Sequence, residues 1–544
     1  MDNRVLLAII LSLGVLILFQ YFYTKYFFPP LPQGNFTQGN FTNQVNQTNE
    51  AISNKISSSK EFQVFNATTR NTLPEKSILI KTPYFEGELT NLGVRFKSLK
   101  LLNYKKDLKN KEAVELVSAP KEALPPEIYL TQIPHFAVIP FEDQNPERIE
   151  VSPKEKKELF FKGRYYPLEM EKRLIVKGFS YYFDWEIKLR NLSNETFKDR
   201  LLVRGVFSPF SQGSGYVFKG PFYYTDHLEE VKLKDTLSEY VGPIKYLGYM
   251  DVYFLSALIP LYNGTFKGTF RKISENVNEY IFWGPEFELK PGEERIFKFK
   301  IYMGPKKAEE LKKEYPLLAK SLYFGIFDFV AKPLLYLLKF FYQFTHNYGW
   351  AIVIITFLIR ALFYPLNHIS YRSMKKMQEL QPVFQKLREK YKDDPQTLQK
   401  ELMNLYRTHK INPFSGCLPI LIQIPVFIAF YKVLLMAIEL RHAPFILWIN
   451  DLSAPERLYI SSFEIPWLGG IPLLTILMGV SMFIQQKLTP TTLDPTQEKI
   501  MLLLPIFFTF LFINFPSGLV LYWFVNNLLS IIQQLITFKS LKTR

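Results

Sequence analysis

Arg360 stands inside the apolar run from Trp350 to Pro365 (WAIVIITFLIRALFYP), and none of the six stretches apolar enough to cross a bilayer carries an Asp or Glu that could neutralise it. An arginine near the middle of a spanning helix costs roughly 2.5 to 3.5 kcal/mol on insertion scales, so it must face a partner or water. The chemistry open to it is recognition by charge and hydrogen bonding. The polar groups that share the spans are neutral: Thr356 one turn earlier, Gln423, Thr475, Asn514, Tyr522, Trp523, Asn526, Asn527, Gln533 and Gln534. The other cation, Lys432, is near enough to the end of its span to reach the headgroups, and Arg360, five positions before Pro365, has the same route open. The expectation is instead a hydrated, protein-lined cavity.

Bond-making chemistry is not signalled. The six histidines (His135, His227, His346, His368, His409, His442) show no metal-ligand spacing, and there is neither a Walker phosphate loop nor a dinucleotide fingerprint. No cofactor, no metal and no classical enzyme activity are expected, and any energy source is external. The single cysteine, Cys417, excludes an internal disulfide.

The elements that position Arg360 are apolar helices. Besides its own span, the candidates are Val5 to Tyr23, Leu418 to Ala437, Leu468 to Ile484, Met501 to Phe515 and Leu519 to Ile536. With 544 residues, 48% hydrophobic content and 16% aromatic content, the chain has room for a water-soluble domain beside the membrane bundle. A mean hydropathy of -0.02 averages two unlike halves. The net charge of +16 is unevenly spread. Ten Lys and Arg between Arg372 and Lys410 mark that segment as cytoplasmic, the loop from Glu439 to Glu464 carries only Arg441 and Arg457 as cations, and Lys539, Lys542 and Arg544 return the tail to the cytoplasm. These segments agree on six spans with both termini inside. The first span has no small-x-small cleavage pattern and reads as a retained anchor.

Gln33 to Lys60, dense in Asn, Thr, Gln and Ser, cannot bury enough apolar area to order itself and reads as a linker. From Glu61 to Gly304, short alternating stretches rich in aromatic and β-branched residues predict one large antiparallel β-sandwich with a scaffold or docking role. Ser321 to Phe344 is apolar but places Asp328, Lys332 and Lys339 on one face, which predicts a helix lying in the outer membrane interface. Met374, Met377, Leu380, Phe384, Leu387 and Tyr391, then Leu398, Leu402 and Leu405, recur at spacings of three and four around Asp393, Asp394 and Pro395. They predict a basic helical hairpin, kinked at Pro382, that could contact a targeting factor, a ribosome or an emerging chain.

The runs ITFLIRALFYPL, NPFSGCLPILIQIPVFIAFYKVL, APFILWINDLSA, LTPTTLDPTQEKIM and FPSGLVLYWFVNNLLSIIQQ resemble the YidC/Oxa/Alb family of membrane protein insertases, over about Tyr323 to Lys542. An anchor followed by a large exported β-domain resembles its Gram-negative members. The resemblance implies five helices forming an insertase core around a hydrophilic groove, open to cytoplasm and lipid and closed toward the periplasm. There Arg360 would receive the polar part of an incoming chain. Carried over by position, Thr356, Gln423, Tyr522, Trp523 and Asn526 join it; Trp523 stands where relatives can have a second tyrosine. The short basic tail departs from relatives in which a long tail is a ribosome contact.

The reading is therefore a multi-span α-helical membrane protein with a large all-β periplasmic domain and a cytoplasmic helical hairpin, inserting and helping to fold proteins in the inner membrane, alone or with the Sec translocon. Its expected partners are nascent membrane proteins, the ribosome, the translocon with its accessory subunits, and lipid, with no direct nucleic-acid readout. The expected organisation is an anchor over 1–24, a linker over 25–60, the β-domain over 61–304 and interfacial helices over 305–345. Spans follow over 346–367, 413–438, 465–487, 500–515 and 516–537, separated by the hairpin over 368–412, an outer loop over 439–464 and a cytoplasmic loop over 488–499, with a tail over 538–544. Residues 25–345 would be periplasmic.

Overall fold

The structure, a computed structural model, describes residues 74–108, 112–118, 123–133, 137–211, 217–233, 237–392, 394–409, 418–460, 468–489 and 495–542. The expected first span, the polar linker and Cys417 lie outside them. The chain divides into two compact units, broken after Leu322.

Period-two alternation builds the first unit. In the strand Tyr182–Asn191, Trp185, Ile187 and Leu189 are buried while Glu186, Lys188 and Arg190 are not. The row turned away from the core is laced by ion pairs, with Arg173 2.6 Å from Glu158 and 3.2 Å from Glu186, and Lys298 3.0 Å from Glu186. Such exposed pairs contribute only tenths of a kcal/mol each, so the apolar face carries the stability and the charged one fixes which face is out. These residues belong to a nine-stranded sheet in which Tyr182–Asn191 lies between Leu168–Lys177 and Glu294–Pro305. Two five-stranded sheets accompany it, one centred on Phe85–Thr90 and the other on Val277–Leu289.

A single antiparallel sandwich was expected; there are three sheets, and Ser77–Lys81 pairs in parallel with Arg148–Glu150. With roughly sixty residues between those two strands, no tight hairpin dictates their direction.

Charge is also buried in this unit. Glu127 meets Arg95 at 3.0 Å and Arg204 at 2.7 Å, and Glu279 meets Arg204 at 2.5 Å and also Arg271. Burial alone would raise the Glu279 carboxyl, but Arg204 and Arg271 outweigh it and hold it below its ordinary value. Helix α1 (Ala308–Lys312) follows the last strand. Just beyond it, Glu314 joins Lys177, Asp184 and Lys300 in a ring of alternating charge.

The second unit is helical. Helix α2 (Asp328–Thr345) starts later than the apolar run because Gly325 turns through φ +84° and Asp328 accepts from the Phe324 amide at 3.0 Å. Asp328 and Lys332 pair at 2.7 Å, but Lys339, expected on an open polar face, reaches Glu439 at 2.5 Å. Ala331, Leu334, Leu335 and Leu338 are buried, and Phe329, Tyr336, Phe340 and Phe344 are exposed.

Helix α3 (Tyr348–Leu362) is capped by Asn347, whose Oδ1 accepts from Gly349 N at 2.8 Å and Trp350 N at 3.3 Å. The Asn347 amide also donates to the Phe445 carbonyl at 3.0 Å. Helix α4 (Tyr364–Glu379) leaves α3 at a 62° bend, with Pro365 in its first turn. The expected kink at Pro382 is a break at Leu380, after which Pro382 opens α5 (Gln381–Lys390). Asp394 caps α6 (Pro395–Thr408), accepting from Thr397 N at 3.1 Å, and Phe384 closes the hairpin on Tyr406 with ring centroids 5.4 Å apart.

The remaining helices are α7 (Leu418–Met436), α8 (Leu473–Leu488), α9 (Pro495–Phe512) and α10 (Ser517–Lys542). Helix α8 begins five residues after the predicted Leu468, because Gly469 at φ +75° and the Leu458–Ile471 pairing hold the preceding chain in a turn. Among the described residues one helix, Ser517–Ser540, is long and apolar enough to cross a membrane alone. Helices α3 and α4 meet that measure only as a bent pair, and Gln423–Met436, Leu473–Leu488 and Met501–Phe512 are shorter apolar helices.

Candidate functional site

Three helices bring the polar groups together. Arg360 sits in the last turn of α3, one turn before the bend. Gln423 comes from α7, and Tyr522 and Asn526 come from successive turns of α10. Arg360 Nε donates to Asn526 Oδ1 at 2.8 Å, and Arg360 Nη2 donates to the Asn526 carbonyl at 3.2 Å. One residue therefore takes a whole edge of the guanidinium with two neutral acceptors. The Gln423 amide donates to the Tyr522 hydroxyl at 3.1 Å.

Arg360, Gln423, Asn526 and Asn367 line a small cavity, its apolar wall made by Ile359, Phe363 and Leu366. The enclosed space is about that of one water molecule, which the three amides beside the arginine can anchor. No carboxylate is among its lining residues. The site can thus accept an anionic or strongly hydrogen-bonding group without first breaking an ion pair.

The other residues expected here are placed differently. Thr356 is fully buried, and its hydroxyl donates to the Ile352 carbonyl of its own helix at 2.7 Å. Tyr522 is also fully buried and reaches the cavity only through Gln423. Trp523 lies in an aromatic cluster, 4.8 Å from Phe427 and 5.3 Å from Phe512 between ring centroids.

Sequence reading missed Asn367, Tyr371 and Ser530. The Tyr371 phenol stands beside the Arg360 guanidinium and the Ser530 hydroxyl, and Ser530 donates to the Asn526 carbonyl at 2.7 Å. A partial signal existed: Tyr371 follows Asn367 by four and Ser530 follows Asn526 by four, each one turn along the same helix. No group of three or more His, Cys, Asp or Glu able to hold a metal occurs among the described residues.

An apolar helical unit with a half-buried cation among amides, following an all-β unit in the same chain, defines a membrane protein with a polar cavity in its helical part. Residues 340–544 match the family model described as 60Kd inner membrane protein, and residues 77–337 match the model of the YidC periplasmic domain. The membrane protein insertase YidC of Pelobacter propionicus is 37% identical over 552 residues, covering 98% of both chains. That of Syntrophus aciditrophicus is 38% identical over 562 residues, covering 98% of this chain and 99% of its own. A crystal structure of an active YidC insertase with its first transmembrane domain resolved covers 90% of this chain and 98% of its own, at 20% identity and a TM-score of 0.37. The chain belongs to the YidC family of membrane protein insertases. It inserts membrane proteins into the inner membrane, and its all-β unit is the family's periplasmic domain.

Proposed function

We propose that insertion runs through the cavity at Arg360. A nascent span with a short, often acidic, outer segment enters from the cytoplasm, and Arg360, Gln423, Asn367 and Asn526 replace part of the hydration that segment loses. Six spans with both termini in the cytoplasm give this direction, and the excess of Lys and Arg in the α4–α6 region supports it. An inside-negative potential then favours outward movement of each acidic charge by about 2.3 kcal/mol per 100 mV. Sideways release is driven by burial of the substrate helix in lipid, at about 0.8 kcal/mol per CH₂. No step makes or breaks a covalent bond. The basic hairpin is the surface proposed for the ribosome, and the Sec translocon is the proposed partner for longer substrates.

The observation that carries this reading is that the guanidinium is hydrogen-bonded to neutral oxygens of a single residue at the wall of an amide-lined cavity. Site-specific photocrosslinking tests it, with probes at Gln423 and Asn367 in the cavity lining and, as references outside that lining, at Thr356 and Tyr522. The expected outcome is crosslinking to ribosome-bound chains of a two-span substrate at the cavity positions, appearing at one nascent length and fading as the chain grows. Equal labelling at all four positions, or none at any length from a folded protein, would overturn the route.

A further inference from the structure

We infer that Asn526 is a positioning residue for Arg360: it fixes the guanidinium by one edge without neutralising it, and so sets the preference for acidic over uncharged translocated segments. This rests on the groove reading above. The geometry is specific. Side-chain and main-chain oxygens of the same residue accept from Nε and Nη2, a fork-to-fork match that lysine could not make. The clamp is itself braced, because the Ser530 hydroxyl donates to that main-chain oxygen at 2.7 Å. Asn526 is 6% exposed, so these contacts are made away from bulk water, where an amide acceptor counts for more than at a surface. An asparagine holds the fork yet leaves its full charge for a ligand. An aspartate of the same shape would hold it and cancel it.

The test uses the full-length protein in liposomes and one short substrate in two forms, its translocated segment either acidic or uncharged. The measured quantity is the ratio of acidic to uncharged insertion, with the melting temperature of each variant in detergent recorded alongside. Arg360→Ala should bring the ratio close to one. Asn526→Ala should lower it roughly tenfold, the factor expected for one lost hydrogen bond to a charged group. Asn526→Asp should lower it further while keeping the melting temperature, and Asn526→Ala with Arg360→Ala should fall no lower than Arg360→Ala alone. A residue that merely packs would lower both substrates together along with the melting temperature. That result, or a normal ratio in Asn526→Ala beside a collapsed one in Arg360→Ala, would overturn the positioning role while leaving the groove reading intact. A normal ratio in Arg360→Ala would overturn both.

Discussion

Arg360 keeps its charge because its close hydrogen-bond partners are dipoles. Two unit charges 4 Å apart attract by about 4 kcal/mol at an effective dielectric of 20, so a carboxylate at that distance would have to be displaced by every incoming anion. Amide oxygens orient the fork for far less. The same logic separates the residues around it. The Thr356 hydroxyl is spent on its own helix, so Thr356→Val should change insertion rates less than about twofold, whereas Gln423→Leu removes a cavity donor and strands the buried Tyr522 hydroxyl, at about 1 to 3 kcal/mol. Insertion kinetics of the two variants side by side check this. Arg360 was legible in the sequence because a lone cation among apolar residues is costly. The Asn526 clamp was not, because it joins positions 166 residues apart, and no local spacing reports a contact between α3 and α10.

At the scale of elements, the helices meet where side chains shrink. A Cβ built on Gly479 of α8 would overlap the Thr509 hydroxyl of α9, so the two backbones approach there as closely as glycine allows. Gly479→Ala should destabilise the helical unit by about 1 to 3 kcal/mol through overpacking, and Thr509→Ala in the same chain should recover part of it, read by thermal melting in detergent. Helix breaks were largely legible, since Pro365, Pro382 and Pro395 each stand in the first turn of a helix and proline cannot continue the one before. The start of α8 was not read from hydropathy, because Leu468 to Pro472 passes as apolar while Gly469 in a left-handed turn and the pairing of Ile471 with Leu458 keep it out of the helix. The β unit shows the same division. Alternation exposed its strands, but three sheets and a parallel edge depend on pairings between distant segments.

For the whole molecule, the division after Leu322 predicts two melting transitions in the full chain, each sensitive to its own substitutions. Glu279→Gln leaves Arg271 without its buried counter-charge and Arg204 with Glu127 alone, and should lower only the β-unit transition, by about 3 kcal/mol, followed through Trp185 and Trp283 fluorescence. Gly479→Ala should lower only the other. Because the folded carboxyl of Glu279 titrates below its ordinary 4.5, its stabilisation is complete above that pH and fades as pH falls through the folded value. The Glu279→Gln chain should lack that part of the acid sensitivity, which denaturation midpoints at pH 3 to 6 would measure.

The Asn347 cap fixes one end of α3, and thirteen helical positions then separate it from Arg360, about 20 Å at 1.5 Å per residue. A bilayer's hydrocarbon is about 30 Å thick. On the proposed topology, with the capped end at the outer face, helix α3 would act as a depth gauge: its length would station the charge two-thirds of the way from that end, so a chain that reaches the arginine would have the shorter part of the crossing behind it.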